Sequence, residues 1–141
     1  MTDHDDVQAL LTRYKESAYQ KDIDAFMSIY SEGVRIFDLW GAWQSVGASA
    51  WREGITGWFD SLGDGRVVVD FSEVEISVDG ALAAVSAMVE YSGESSTGVI
   101  EREMANRLTW VLGRIDGDWL VAHEHTSAPV DMQSGKVILS R

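Results

Sequence analysis

Apolar positions along this chain recur with two periods, and the change falls near Gly65. Val7, Leu10, Leu11, Tyr14 and Ala18 are spaced by three, four and seven between Asp3 and about Gln20, the stripe of an amphipathic helix, with acidic residues in the first turn where the dipole favours them. Tyr14 therefore faces inward. Asp22 can cap a second short helix carrying Ile23, Phe26, Met27 and Tyr30, and Gly33 suits the left-handed position beyond its end, so the two helices form a hairpin. Val34 to Leu39 is short, apolar and β-branched at alternate places, which predicts a strand with Val34, Ile36 and Asp38 on one face. A third helix over about Ser49 to Leu62 follows from the spacing of Trp51, Ile55, Trp58, Phe59 and Leu62. Gly54 and Gly57 oppose it by roughly 1 kcal/mol each, unless something packs closely against them.

Beyond Gly65 apolar and polar residues alternate. Arg66 to Val78, then Asp79-Gly80, then Ala81 to Tyr91 reads as a long hairpin with a tight primed turn. SGESSTG, residues 92–98, is a polar loop, and Val99 to Ile115 turns at Asp116-Gly117 and returns through Asp118 to Ser127. On that last strand the alternation puts Trp119, Val121, His123, His125 and Ser127 on one face and Leu120, Ala122, Glu124 and Thr126 on the other. Pro129 ends it, and 130–141 is a tail that either pairs or stays irregular. Helices followed by a run of strands is an α+β pattern, in which a strongly twisted, mainly antiparallel sheet wraps around helices on its concave side. The expectation is one domain over 1–141 with its core at about 5–129.

Charge narrows the partners. With 23 acidic residues against 11 basic ones the net charge is -12, so the field repels phosphate backbones and anionic headgroups, and neither nucleic acid nor a membrane surface is an expected partner. The absence of cysteine removes disulfides, thiolate nucleophiles and thiolate metal sites. MTDHDDVQAL has no basic start leading into an apolar core, and no apolar stretch approaches the ~20 residues that span a bilayer, so a cytoplasmic location is expected.

The stretch NRLTWVLGRIDGDWLVAHEHTSAP, an Arg-x-Thr strand followed by a turn and a Trp-x-x-x-His-x-His-x-Ser strand, resembles the C-terminal signature of SnoaL-like members of the nuclear transport factor 2-like superfamily. The resemblance covers about residues 5 to 129 and implies a cone-shaped fold with an internal cavity, and a homodimer. In RYKESAYQKDIDAFMSIYSEGVRIFD, Tyr14 and Asp38 match the phenolic donor and carboxylate base of ketosteroid isomerase, while the place of that family's protonated aspartate falls to Asn106 or Arg107. The resemblance thus implies a cofactor-independent isomerase, cyclase or hydratase that removes a proton next to a carbonyl. The alternative from another class is a non-catalytic binding or oligomerisation domain of the kinase-association type.

The residues themselves leave paired readings. Asp38 would lose solvation among Trp40, Trp58 and Phe59 and so become a useful base near neutral pH, or it sits in water or pairs with Arg35 or Arg107. Tyr14 either donates to a ligand or is a core tyrosine with a satisfied hydroxyl. His123 and His125 lie ~7 Å apart on one strand face. No third ligand is evident, so no metal is expected, and each imidazole either reaches the cavity as a proton carrier or bonds a carboxylate such as Glu90 or Glu103, or lies in a subunit interface. Arg107 and Thr109 share a face, where the arginine either orients an anionic ligand group or forms a salt bridge. Trp40, Trp43, Trp51 and Trp58 gather near the expected cavity mouth, which suits a flat aromatic or polycyclic ligand.

Overall fold

The computed structural model describes residues 2–141. Helices α1 (Asp3–Gln20), α2 (Ile23–Met27) and α3 (Ala48–Ser61) flank strands β1 (Tyr30–Phe37) and β2 (Ser45–Val46), and four strands follow: β3 (Arg66–Asp79), β4 (Leu82–Glu94), β5 (Ile100–Ile115) and β6 (Asp118–Ser127). They make one sheet in the order β2-β1-β6-β5-β4-β3, open at both edges and antiparallel except where β1 runs parallel to β6. This is the expected α+β architecture, a curled sheet wrapped around three helices. No described helix is long and apolar enough to cross a membrane.

The helix hairpin is fixed at its ends by local chemistry. Thr2 and Asp5 form a reciprocal capping box at the start of α1, and Val7, Leu10, Leu11, Tyr14 and Ala18 are buried on the face that packs against the sheet. Lys21 closes α1 in the left-handed conformation, with φ of 54°, and its ammonium donates to the carbonyls of Gly63 and Gly65 at 2.6 and 2.8 Å, tying the hairpin to the start of β3. Helix α2 is shorter than its apolar spacing predicts. It stops at Met27, and Tyr30 opens β1 because Ile29 and Tyr30 are taken up by pairing with Val121; Gly33 then lies inside β1 and caps nothing.

In α3 the two glycines are not explained by close packing, since a Cβ at Gly54 or Gly57 would meet nothing within 4 Å. The second hairpin turns where its sequence says, with Asp116 and Gly117 both at positive φ, 51° and 87°, as a primed two-residue loop requires. In the first, Asp79 pairs with Leu82, so the loop is Gly80-Ala81, one residue later than expected. Strand β4 also runs on to Glu94, into the predicted polar loop. The tail folds back: Val130 bridges Val137, and the carbonyl of Leu139 accepts from the amide of Ala105, on the stretch of β5 beyond Arg107 where β6 has ended.

The core between helices and sheet contains Trp110, Phe26, Leu11, Ile29, Ile36, Leu108 and Leu112, all fully buried. Phe59 belongs here, edge-on to Phe26 at 5.4 Å between ring centres. Helices cover only part of the concave face, and the uncovered end, between α3 and the strands β4 to β6, is hollow.

Candidate functional site

One extra residue decides which side chains meet in that hollow. Along β5 and β6, Leu112 pairs with Val121 but Val111 pairs with His123, so Ala122 is bulged out of the ladder. Strict alternation would have carried His123 and His125 on the inward face of Trp119 and Val121. The bulge reverses the parity instead: Trp119 and Val121 point in, and after Ala122 it is Glu124 and Thr126 that are buried. Parallel pairing with β1 agrees, since inward Ile36 stands beside Glu124 and outward Phe37 beside His125.

The resulting cavity has a volume of about 340 Å³. Its apolar wall is formed by Trp40, Trp51, Ile55, Trp58, Val67 and Met104, with Gly54 contributing open backbone, and its polar groups are Tyr14, Asp38, Tyr91, Asn106, Glu124 and Thr126. None of the chain's 11 lysines and arginines and none of its three histidines lines it.

Glu124 is the most deeply buried of these polar groups, at 2% exposure. Its Oε1 accepts from the Tyr30 hydroxyl at 2.6 Å and from the indole N–H of Trp110, its cross-strand partner, at 2.8 Å. Burial pushes its carboxyl up to about 7; those two hydrogen bonds oppose the rise and the charge of Asp38 adds to it. No described residue bonds Oε2, the oxygen left to carry a proton toward the cavity. Asp38, just past the end of β1, is half-buried and accepts from Thr126 Oγ1 at 2.9 Å. Tyr14 and Tyr91 share a hydrogen bond of 2.9 Å between hydroxyls. Burial holds both phenols above their ordinary range, so they are neutral donors at any physiological pH. Two buried polar atoms have no partner among the described residues, Asn106 Oδ1 and Trp51 Nε1. The set can hold one acid and one carboxylate apart in a mostly apolar chamber, with phenol and indole donors beside them, which is an arrangement for proton transfer or for polar recognition of a ligand.

The sequence-predicted residues divide between this cavity and other places. Tyr14, Asp38, Trp40, Trp58 and Asn106 are brought together in it. Phe59 is packed into the core, and Trp43 is 97% exposed in the loop before β2. Arg107 and Thr109 are a correction: Asn106, Leu108 and Trp110 point inward on β5, so their neighbours face the outer surface, and Arg107 bonds Ser127 Oγ at 3.1 Å, neither Asp38 nor a glutamate. His123 and His125 are corrected likewise by the bulge. They flank Phe37 on the outer face, ring centres 4.8 and 5.5 Å away, and His123 Nδ1 bonds the Arg35 carbonyl at 2.7 Å, not Glu90 or Glu103. Strict alternation along the last strand puts Glu124 and Thr126 on the face away from the cavity, and apolar spacing alone puts Tyr30 in a helix; the structure reverses both. The unbroken apolar run Trp119 to Ala122 is the one signal that could have warned of a bulge, because two adjacent residues of a strand rarely both want the core.

A family model described as a SnoaL-like domain matches residues 7–131. Among curated proteins no sequence matches. Solved structures are similar in fold: an NTF2-like protein of unknown function from Pseudomonas putida superposes with a TM-score of 0.85 at 24% identity, covering 100% of this chain and 98% of that one. A protein of unknown function with a cystatin-like fold from Nostoc punctiforme gives 0.73 at 15% identity over 88% and 89%. A protein of Xanthomonas campestris proposed as a calcium/calmodulin-dependent protein kinase II association domain gives 0.71 at 15% identity over 92% and 89%. At these identities the structural likeness speaks for the fold alone, whereas the family match spans nearly the whole sequence, from the first turn of α1 to beyond the last strand. The chain belongs to the SnoaL-like domain family, a small-molecule-binding family of the nuclear transport factor 2-like fold.

Proposed function

We propose that the protein is a cofactor-independent enzyme that moves protons on an apolar carbonyl compound, as an isomerase, cyclase or hydratase would. Asp38 takes a proton from the carbon next to the carbonyl. Tyr14, with Tyr91 behind it, donates to the carbonyl oxygen as charge develops there, and Glu124 in its acid form returns a proton. The observation that carries this reading is the pair of carboxyl groups in one chamber, one of them half-buried beside a hydroxyl and the other sealed and held at about 7. Filled to the packing density of a protein interior, the chamber admits roughly 250 Å³ of ligand, about four fused rings at most.

The test is hydrogen–deuterium exchange in D2O at the carbon next to the carbonyl of planar aryl ketones, followed by NMR. The wild-type protein accelerates exchange, Asp38→Asn reduces the acceleration by about 10²-fold or more, and Tyr14→Phe by about tenfold. Exchange indifferent to both substitutions refutes the proposal. A homodimer through the outer sheet face is part of the same reading, supported by the partly exposed stack of Phe37 with His123 and His125 and by the fold's likeness to the proposed kinase association domain. Light scattering that gives a monomer at micromolar concentration removes that part.

A further inference from the structure

An orphaned amide oxygen, a carboxyl group and a set of tryptophan rings share the cavity, and together they specify a ligand. Asn106 is 6% exposed, and its Oδ1 is buried in the cavity wall with nothing to accept from. Asp38 receives one hydrogen bond, from Thr126, which leaves its carboxyl group room to accept more. Trp51 Nε1 is the other buried polar atom without a partner. A buried acceptor left without a hydrogen is unfavourable, so a ligand that brings N–H groups to it gains affinity there. Aromatic rings share the chamber with these groups, Trp40, Trp51 and Trp58 all lining it. Indole is the ring system that best attracts a positive charge. No cationic side chain from the described residues enters to neutralise the carboxyl groups, because Arg107, the candidate for that place, lies on the outer face. The chain's net charge of -12 further concentrates cations at the mouth.

We infer that the compound bound in this cavity is an organic cation, a flat apolar body carrying a protonated amine whose N–H groups are taken by Asn106 and Asp38 among the tryptophan rings. The inference rests on the proposed function in taking this cavity as the ligand site, and it adds the charge of the ligand. An anionic ligand is excluded by the same groups, since a carboxylate would face two carboxyl groups with no compensating charge.

Three probes of one shape separate the possibilities: naphthylmethylamine, naphthylmethanol and naphthoate, titrated against the full chain by calorimetry and tryptophan fluorescence at low and high salt. The amine is expected to bind at least tenfold tighter than the alcohol, with naphthoate showing no binding, and added salt is expected to weaken the amine alone. Asp38→Asn and Asn106→Leu should each lower the amine-to-alcohol preference several-fold, a ratio that a folding defect would not produce. Equal binding of amine and alcohol, or tighter binding of naphthoate, overturns the cation while leaving the cavity a ligand site and the exchange assay unaffected. Failure of all three probes to bind the folded protein overturns the ligand site as well.

Discussion

Replacing Glu124 by glutamine isolates the free energy stored in one buried acid. The carboxyl rises from 4.5 to about 7 on folding because the folded chain removes water from it, which corresponds to roughly 3 kcal/mol of preference for the neutral form. The sign follows from which state holds the proton. Below pH 4.5 both folded and unfolded chains carry the neutral acid, and Glu124 costs nothing. Between 4.5 and 7 the unfolded chain ionises while the folded chain does not, so stability falls as pH rises; above 7 the loss is complete and stays constant. Glutamine has the shape of the neutral acid, and its Oε1 can accept from Tyr30 and Trp110 just as the native Oε1 does. Glu124→Gln should therefore match the wild type at pH 4 and exceed it by roughly 3 kcal/mol at pH 8, a melting temperature higher by about 10 °C. The assay is urea and thermal unfolding, followed by tryptophan fluorescence, at five pH values between 4 and 8. The exchange activity proposed above should fall in the same variant, so that stability and activity move in opposite directions. Parallel stability curves for the two proteins, or a variant weaker than wild type at pH 8, would refute the account of Glu124 as a desolvated acid.

The remaining predictions address the helix, the bulge and the outer face. Gly57→Ala should raise stability by about 1 kcal/mol, since the added methyl meets nothing within 4 Å, whereas Gly54→Leu should keep the fold and reduce naphthyl ligand binding at least tenfold by filling the cavity; a melting point lowered by Gly57→Ala, or unchanged binding in Gly54→Leu, contradicts the placement of α3. Deleting Ala122 removes the extra residue but keeps the facing, because His123 then follows Val121 outward and Glu124 stays inward; the pH-dependent stability that Glu124 confers should persist in the variant, and its disappearance would show that the bulge does not set the register. Arg107→Ala and His125→Ala should leave ligand affinity within about twofold, because both side chains lie across the sheet from the cavity, and a tenfold loss in either would place that residue at the site after all.

The sequence by itself determined the element types, the α+β class and the two-residue turn at Asp116-Gly117, because hydrophobic period and turn chemistry are local quantities that a chain carries wherever it is read. It also determined that Tyr14 faces the interior, and it marked Asp38 as an acid on an apolar strand face. Only the tertiary structure decided which groups on the last two strands share the cavity. Side-chain direction in a strand has period two, so one bulged residue, Ala122, is enough to exchange two imidazoles for a carboxyl and a hydroxyl, and nothing in the local composition fixes where a ladder slips. Tyr30 shows the same limit from the other side: its spacing fits the helix of Phe26 and Met27, yet pairing with β6 takes it into β1, where its hydroxyl meets an acid 94 residues away along the chain. The elevated acid at Glu124 is likewise a property of the assembled interior, since burial, Tyr30, Trp110 and Asp38 act on it together only after helix and sheet have closed around it.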